Sequence, residues 1–182
     1  MMRLTGLAIL AIVSACSTTS QQGAPATVGT APRPRTVATE AGNVVRSYDP
    51  TTSIAQMSAP PTVLFAAVTN VYRELGIEVK LSDPSTGEVG NKRFSAMYRL
   101  AGAPVSTYLG CGLTTTGPAA DSYRVTVSLV SQITPSGSGS QLNTQLTATA
   151  DDLASSKGHI SCMTTGVLEQ KIADLAVKLL GG

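Results

Sequence analysis

The sequence predicts an α+β protein: a single antiparallel sheet of four to five strands, packed by a helix on its N-terminal side and by a C-terminal helix. Three observations support this fold class. Apolar residues recur at helical spacing in residues 58–76 and again in residues 168–179. Between these segments apolar and polar residues alternate, which is typical of strands with one buried face. Clusters rich in Gly, Pro, Asp and Ser separate the alternating stretches.

The first helix is predicted over residues 58–76. Ser58 is a candidate N-cap, and the two prolines that follow suit a first turn whose amide hydrogens lack intrahelical partners. Gly76 is a candidate C-terminal cap. The apolar face of this helix consists of Leu64, Val68, Val71 and Leu75. Residues 36–57, which precede it, are predicted to form an arm or an edge hairpin with a turn at residues 41–43.

Strands are predicted at residues 77–81 and 88–100, on either side of a turn at 83–87, and a third strand is predicted at 105–115. A fourth strand is predicted to begin at Tyr123, and a fifth to end at Ala150. A flexible loop at residues 135–140 separates the last two. The polar face of the last strand is uncharged and consists of Gln141, Asn143, Gln145, Thr147 and Thr149. Such a face can stay solvated or can receive a partner strand, a peptide or a glycan.

The closing helix is predicted from the spacing of Leu168, Ile172, Leu175 and Leu179. Glu169 near its start and Lys178 near its end suit the helix dipole. No internal repeat and no second domain are detected. Residues 58–182 are therefore predicted to form one α+β domain.

The first sixteen residues have the features of an export signal. Arg3 precedes an apolar run, and even a dozen helical residues span only about 18 Å, against a hydrocarbon core of about 30 Å. The run is therefore expected to be removed rather than to cross the bilayer. Val13, Ser14 and Ala15 precede Cys16. These residues resemble the lipobox that closes a bacterial lipoprotein signal peptide.

This resemblance implies cleavage of residues 1–15, with Val13, Ser14 and Ala15 read by the signal peptidase, and lipidation of Cys16 as a membrane anchor. Because Ser17 rather than Asp follows the cysteine, it also implies an outer-membrane location facing the periplasm. The alternative is an ordinary secretory signal with an incidental cysteine. Residues 16–35 are rich in Pro, Gly, Ser, Thr and Gln, so a disordered linker is predicted.

The predicted mature chain has 167 residues and, without Arg3, a formal net charge of +1 instead of +2. Charge of this size cannot drive nucleic-acid binding, so no nucleic-acid partner is expected. Cys111 and Cys162 are an even pair in a chain destined for an oxidising compartment, so a disulfide is predicted. The alternative, a metal site formed by both cysteines and His159, lacks an evident fourth ligand. Neither a metal nor a cofactor is expected.

Catalytic motifs are absent from the sequence. It contains no G-x-S-x-G elbow and no glycine-rich phosphate loop. A Ser-His-Asp hydrolase, the most remote alternative, would need His159 as its base with Asp151 or Asp152 beside it. Four cations are candidates for contact with an anion or a partner: Lys92, Arg93, Arg99 and Arg124. Tyr108 is expected near these arginines on the exposed sheet face.

The sequence resembles the helix-grip lipoproteins of the BamC type, which belong to the machinery that assembles outer-membrane β-barrels. The resemblance rests on residues 75–79 and the turn at 83–87, on the closing amphipathic helix and on the lipobox. The resemblance covers about 100 residues. It implies a non-enzymatic, lipid-anchored accessory or scaffold module that binds envelope proteins. The alternative is a module that binds a lipid or another small apolar ligand between helix and sheet. The oligomeric state is not predicted.

Overall fold

The computed structural model describes residues 35–38, 44–47, 52–151 and 159–181. Over these ranges the protein is α+β, with two α-helices and a mostly antiparallel sheet. Two short 3-10 helices are Val105–Thr107 and Ala119–Asp121. In chain order the other elements are β1 (Arg35–Ala38), β2 (Val44–Ser47), β3 (Thr52–Met57), α1 (Pro61–Glu74), β4 (Leu81–Asp83), β5 (Glu88–Ala96), β6 (Arg99–Leu100), β7 (Ala103–Pro104), β8 (Leu109–Gly110), β9 (Leu113–Thr114), β10 (Gly117–Pro118), β11 (Arg124–Ser136), β12 (Gly139–Asp151), β13 (His159–Thr164) and α2 (Val167–Leu179).

The main sheet has seven strands. Six of them follow the order β4-β5-β11-β12-β13-β8, and the seventh, β3, pairs with β12. β11 pairs with β12 along the whole length of both strands. The opposite edge of β12 is shared, because β3 pairs with residues 140–145 and β13 with residues 148–151. β3 and β13 therefore lie end to end along one strand. β1–β2, β6–β7 and β9–β10 form small separate hairpins.

The prediction of four to five strands is wrong, because β3, β8 and β13 join the sheet in addition. The predicted third strand over residues 105–115 is not formed. Gly112 has a φ of +88°, which is incompatible with an extended strand, and the segment folds into a 3-10 helix and short strands. The predicted strand at residues 77–81 is also wrong, because β4 begins only at Leu81 and continues to Asp83, the first residue of the predicted turn. The loop at residues 135–140 is also shorter than predicted, since β11 and β12 leave only Gly137 and Ser138 between them.

Both helices pack on one face of the sheet, called here the inner face. Leu64, Val68 and Val71 of α1 and Leu168 and Ile172 of α2 are fully buried. Their counterparts on the sheet include Val125, Val127, Leu129, Leu142 and Leu146. The alternation predicted for β11 and β12 is confirmed, because these residues point inward while the intervening residues are half-buried or exposed on the opposite, outer face.

Gly76 ends α1 as predicted. Its φ is +71°, its N–H donates to the Arg73 carbonyl at 3.0 Å, and the Ile77 N–H donates to the Tyr72 carbonyl at 2.9 Å. This pair of bonds closes the last turn as a Schellman motif. The predicted Ser58 cap is wrong, because the helix begins at Pro61 without a side-chain cap.

A few polar groups are buried in the core. The Tyr72 hydroxyl lies 3.0 Å from the Ser131 hydroxyl, which lies 2.8 Å from that of Thr144. Glu169, in the first turn of α2, is fully buried. The Thr164 hydroxyl donates to its Oε1 at 2.7 Å, and its Oε2 has no hydrogen-bond partner among the described residues. Burial raises the pKa of Glu169, although hydrogen bonds from Thr164 and its own backbone amide lower it.

The raised pKa of Glu169 makes the stability of the protein depend on pH. The folded state favours the protonated carboxyl, so its contribution to stability is full below the unfolded pKa, about 4.3. This contribution is lost as the pH rises through the folded pKa. We therefore expect the unfolding free energy of Glu169→Gln, relative to wild type, to increase between pH 4 and pH 7, as measured by urea denaturation.

Glu74→Gln, which removes an exposed carboxyl at the end of α1, is the control for the loss of one negative charge. If the difference in unfolding free energy between Glu169→Gln and wild type stays constant over this pH range, the prediction is wrong.

Candidate functional site

A groove of about 580 Å³ crosses the outer face of the sheet from β5 to β13. Its size lies within the usual range of ligand sites, about 300–1,000 Å³. Two cations from β5 line one end, and Asp151 and His159 line the other. Because neighbouring strands are about 4.8 Å apart, the three strand spacings between β5 and β13 separate these ends by about 14 Å. We call this cavity the outer-face groove.

A β-bulge places both cations at the same end of the groove. Val127 pairs with Phe94 and Leu129 with Asn91, so one extra residue of β5 is inserted between these pairs. In a regular strand Lys92 and Arg93 would point to opposite faces. The bulge instead leaves both exposed, and both line the groove.

Asn91 stabilises the bulge from inside the protein. It is only 1% exposed, its side-chain amide donates to the Glu78 carbonyl at 2.9 Å, and its Oδ1 accepts the Arg93 N–H at 3.0 Å. Both ends of this short side chain are therefore hydrogen-bonded to backbone. The bulge is a supported part of the fold, and the position of the two cations is fixed by it.

The floor of the groove between its two ends carries hydroxyl groups. They come from three adjacent strands and belong to Thr126, Ser128, Thr147, Thr149 and Ser161. Thr126 lies opposite Thr149 in the register, and Thr149 lies opposite Ser161. Within the described ranges, none of the five hydroxyls is hydrogen-bonded to another protein group. Each of these hydroxyls can both donate and accept a hydrogen bond, as recognition of a polar ligand requires.

Asp151 and His159 face each other at the β13 end of the groove. They are a cross-strand pair, and the imidazole Nδ1 is in contact with Asp151 Oδ1. The His159 side chain is 78% exposed. This contact between a histidine and an aspartate is one of the two contacts that a Ser-His-Asp hydrolase would need. A serine or threonine hydroxyl bonded to the other imidazole nitrogen is not found among the residues described.

The disulfide between Cys111 and Cys162 links strand β13 to the segment that follows β5 in the sequence. The Cα atoms of the two cysteines are 4.3 Å apart. Two contacts from α2 hold the same segment, because the Lys171 ammonium donates to the Ala101 carbonyl at 3.0 Å and to the Tyr108 hydroxyl at 3.3 Å. The wall of the groove formed by β13 is thus attached to the helix side of the molecule.

The structure separates the four cations singled out in the sequence. Lys92 and Arg93 line the groove, and Arg124 lies on the same face opposite Asp151, outside the lining. Arg99 lies in the β6–β7 hairpin, where its guanidinium contacts the Gly102 carbonyl. The expectation that Tyr108 lies on the exposed face is wrong, since Tyr108 is 2% exposed in the core. Val13, Ser14, Ala15 and Cys16 lie outside the described residues.

Two features of the groove were not predicted from the sequence. One is Ser161, which joins the groove only because β13 pairs with β12. The other is the buried Asn91, whose polar side chain at an inward position of an alternating strand is the one available sign of a bulge. In the part of the chain that the structure describes, no group of three His, Cys, Asp or Glu side chains is placed to hold a metal ion. Neither of the two helices has the length and hydropathy required to cross a bilayer.

No protein-family model matches the chain, no curated protein sequence matches it, and no solved structure matches its fold.

Proposed function

We propose that the protein is a lipid-anchored, non-enzymatic accessory module of the cell envelope, which binds other envelope components on the outer face of its sheet. One observation carries this proposal. Both helices pack on the inner face, while no helix of the described part of the chain covers the outer-face groove, where polar and charged side chains lie beside apolar surface. A face that is not needed for the core is available for binding.

The anchor in this proposal is Cys16, lipidated after cleavage of residues 1–15. The lipobox-like residues Val13, Ser14 and Ala15 support it, as does the Pro- and Gly-rich stretch over residues 16–35, which suits a linker. Ser17 supports an outer-membrane location facing the periplasm. We also propose that the two helices packed on an antiparallel sheet are a variant of the helix-grip arrangement of BamC-type lipoproteins.

The inner side of the sheet is less suitable for a ligand. The space between helices and sheet is occupied by fully buried side chains, among them Leu64, Val68 and Ile172. We therefore place binding on the outer face rather than between helix and sheet. A non-enzymatic role is supported by the exposed position of His159, because its contact with Asp151 is open to solvent and screened by it.

The proposal is tested by crosslinking in intact cells. A photo-reactive amino acid is introduced at position 147, in the middle of the groove, and in a matched strain at position 178, an exposed site on α2. We expect a crosslinked envelope component from position 147 and none from position 178. Recovery of the same products from both positions, or of none from position 147, would overturn the role of the outer face.

The same cells test the anchor. We expect labelled palmitate to enter the wild-type protein and not Cys16→Ala, and we expect the crosslinks from position 147 to decrease when the anchor is lost. Palmitate incorporation that is unchanged in Cys16→Ala would overturn the anchor.

A further inference from the structure

We propose that the outer-face groove binds an anionic glycan, with Lys92 and Arg93 forming the subsite for its phosphate or carboxylate group. This inference rests on the proposed function, because it names the chemistry that the same face recognises. It is supported by the position of the cations, by the composition of the groove floor and by the difference in charge between the two ends.

The two cations are suited to a compact anionic group. No carboxylate among the described residues lies within ion-pair distance of the Arg93 guanidinium. Among the described residues Lys92 has one partner, Glu88, whose Oε2 lies 3.9 Å from the Lys92 ammonium in a partly exposed pair. Exposed pairs of this kind contribute little, about 0–1 kcal/mol, so Lys92 can turn toward a ligand. Arg93 can then bind the same oxyanion through two N–H groups.

The floor of the groove favours a polyhydroxylated ligand over a protein. Protein interfaces are enriched in aromatic side chains at their centres and depleted in serine. The lining has no Phe, Tyr or Trp, and Met163 is its one large apolar side chain with an outward position. The five hydroxyls on β11, β12 and β13 instead match the alternating donors and acceptors of sugar hydroxyls.

The charge difference between the ends sets the orientation of the ligand. The cations at the β5 end attract an anionic group, whereas the lining at the β13 end carries the Asp151 carboxylate, which lies opposite Arg124 and is in contact with His159. The ligand therefore lies across the strands with its anionic group at the bulge. A separation of about 14 Å between the ends suits a short oligosaccharide better than a single ion.

The inference is tested by NMR titration of the isotopically labelled mature domain with its disulfide intact. The probes are a phosphorylated glucosamine disaccharide, a trimer of galacturonic acid, the unphosphorylated disaccharide and triglutamate. We expect both anionic sugars to shift the amide signals of Lys92, Arg93, Ser128 and Thr147. The unphosphorylated disaccharide should bind at least tenfold more weakly.

The test variant is Lys92→Gln/Arg93→Gln, and its matched control is Lys80→Gln/Lys178→Gln, which removes the same charge from exposed sites outside the groove lining. We expect the first variant to lose at least tenfold in affinity for the anionic sugars and the control to lose less than twofold. Equal losses in the two variants, or equal binding of the neutral and phosphorylated sugars, would overturn the subsite.

Other outcomes separate this inference from the proposed function. Tighter binding of triglutamate than of the anionic sugars would show that the groove takes an acidic peptide and would overturn the glycan. If no probe binds but position 147 still crosslinks in cells, the glycan is wrong and the proposed function stands. If the sugars bind and position 147 gives no crosslink, the glycan site stands and the proposed binding of an envelope component on this face is wrong. Titration with the same phosphorylated sugar on lipid vesicles distinguishes a lipid-linked glycan from a free one.

Discussion

The variant Cys111→Ala/Cys162→Ala is expected to unfold with a free energy about 4 kcal/mol below that of the wild type. The disulfide closes a loop with a sequence separation of 51 residues. Cross-linking a loop of this length removes enough conformational entropy from the unfolded chain to stabilise the native state by about 4 kcal/mol. This is a large part of the 5–15 kcal/mol or so that is typical of folded domains. The measurement is urea denaturation of oxidised protein.

Reduced wild-type protein is the internal control for this prediction. It should unfold at the same urea concentration as the double variant, because both lack the cross-link and differ only by two thiol groups. The prediction is contradicted if reductant leaves the urea midpoint of the wild type unchanged. It is also contradicted if alkylation under denaturing, non-reducing conditions detects two free thiols in the wild type.

The second large effect is expected for Gly139→Ala, which should lower the unfolding free energy by about 3 kcal/mol. A Cβ atom at this position would lie 2.1 Å from the Met57 carbonyl oxygen on the neighbouring strand β3. The contact is with backbone and cannot be relieved by rotating a side chain. Either β3 moves away from β12, with loss of hydrogen bonds, or the hairpin distorts. Urea denaturation followed by far-ultraviolet circular dichroism measures the loss.

Gly137, two residues earlier in the same hairpin, provides the matched control. Its φ is +58°, and a Cβ atom there would meet nothing within 4 Å. Gly137→Ala should therefore cost only the strain of a left-handed alanine, about 1 kcal/mol. Hydrogen exchange of the β3 amides should increase in Gly139→Ala and not in Gly137→Ala. Similar losses of stability in the two variants would contradict the steric explanation.

The elements that could be predicted from the sequence are those with strong periodicity. α1, α2, β11 and β12 alternate or repeat over a dozen residues, and burial of one face follows directly from the pattern. The signal from β3 is weak because Ile54, one of its two large apolar residues, is 40% exposed, while its buried residues are the small Ala55 and Met57. β13 has no buried residue at all, so its pattern did not indicate a strand.

The face of α2 is also rotated relative to the prediction. Leu179 was expected in the core and is half exposed, whereas Glu169, Ala173 and Ala176 are buried. A small residue can be buried wherever two helices approach closely, and alanine carries too little apolar surface to mark that position in a sequence. The burial of Glu169 could not be anticipated, because a glutamate in the first turn of a helix is ordinarily a solvated partner of the helix dipole.

The candidate site could be predicted only in part, because its geometry depends on contacts between distant residues. Lys92 and Arg93 were identifiable as cations, but strict alternation would separate them. Their common face depends on the hydrogen bond between Asn91 and the carbonyl of Glu78. Arg99 is removed from the sheet because Tyr98, with a φ of +64°, turns the chain into the β6–β7 hairpin. Neither effect is visible in local composition.

The shared edge of β12 has a consequence for the order in which the chain can fold. The partner of Met57 is Ser140, 83 positions later in the sequence. The N-terminal side of the chain emerges first, both from the ribosome and from the export channel that the proposed function implies, so β3 lacks its neighbour until most of the domain has emerged. Strand pairings between residues this far apart in the sequence form slowly. Until then the unpaired strand can associate with other unfolded chains. We therefore expect this protein to depend on a holdase during biogenesis more than a helical protein of equal size.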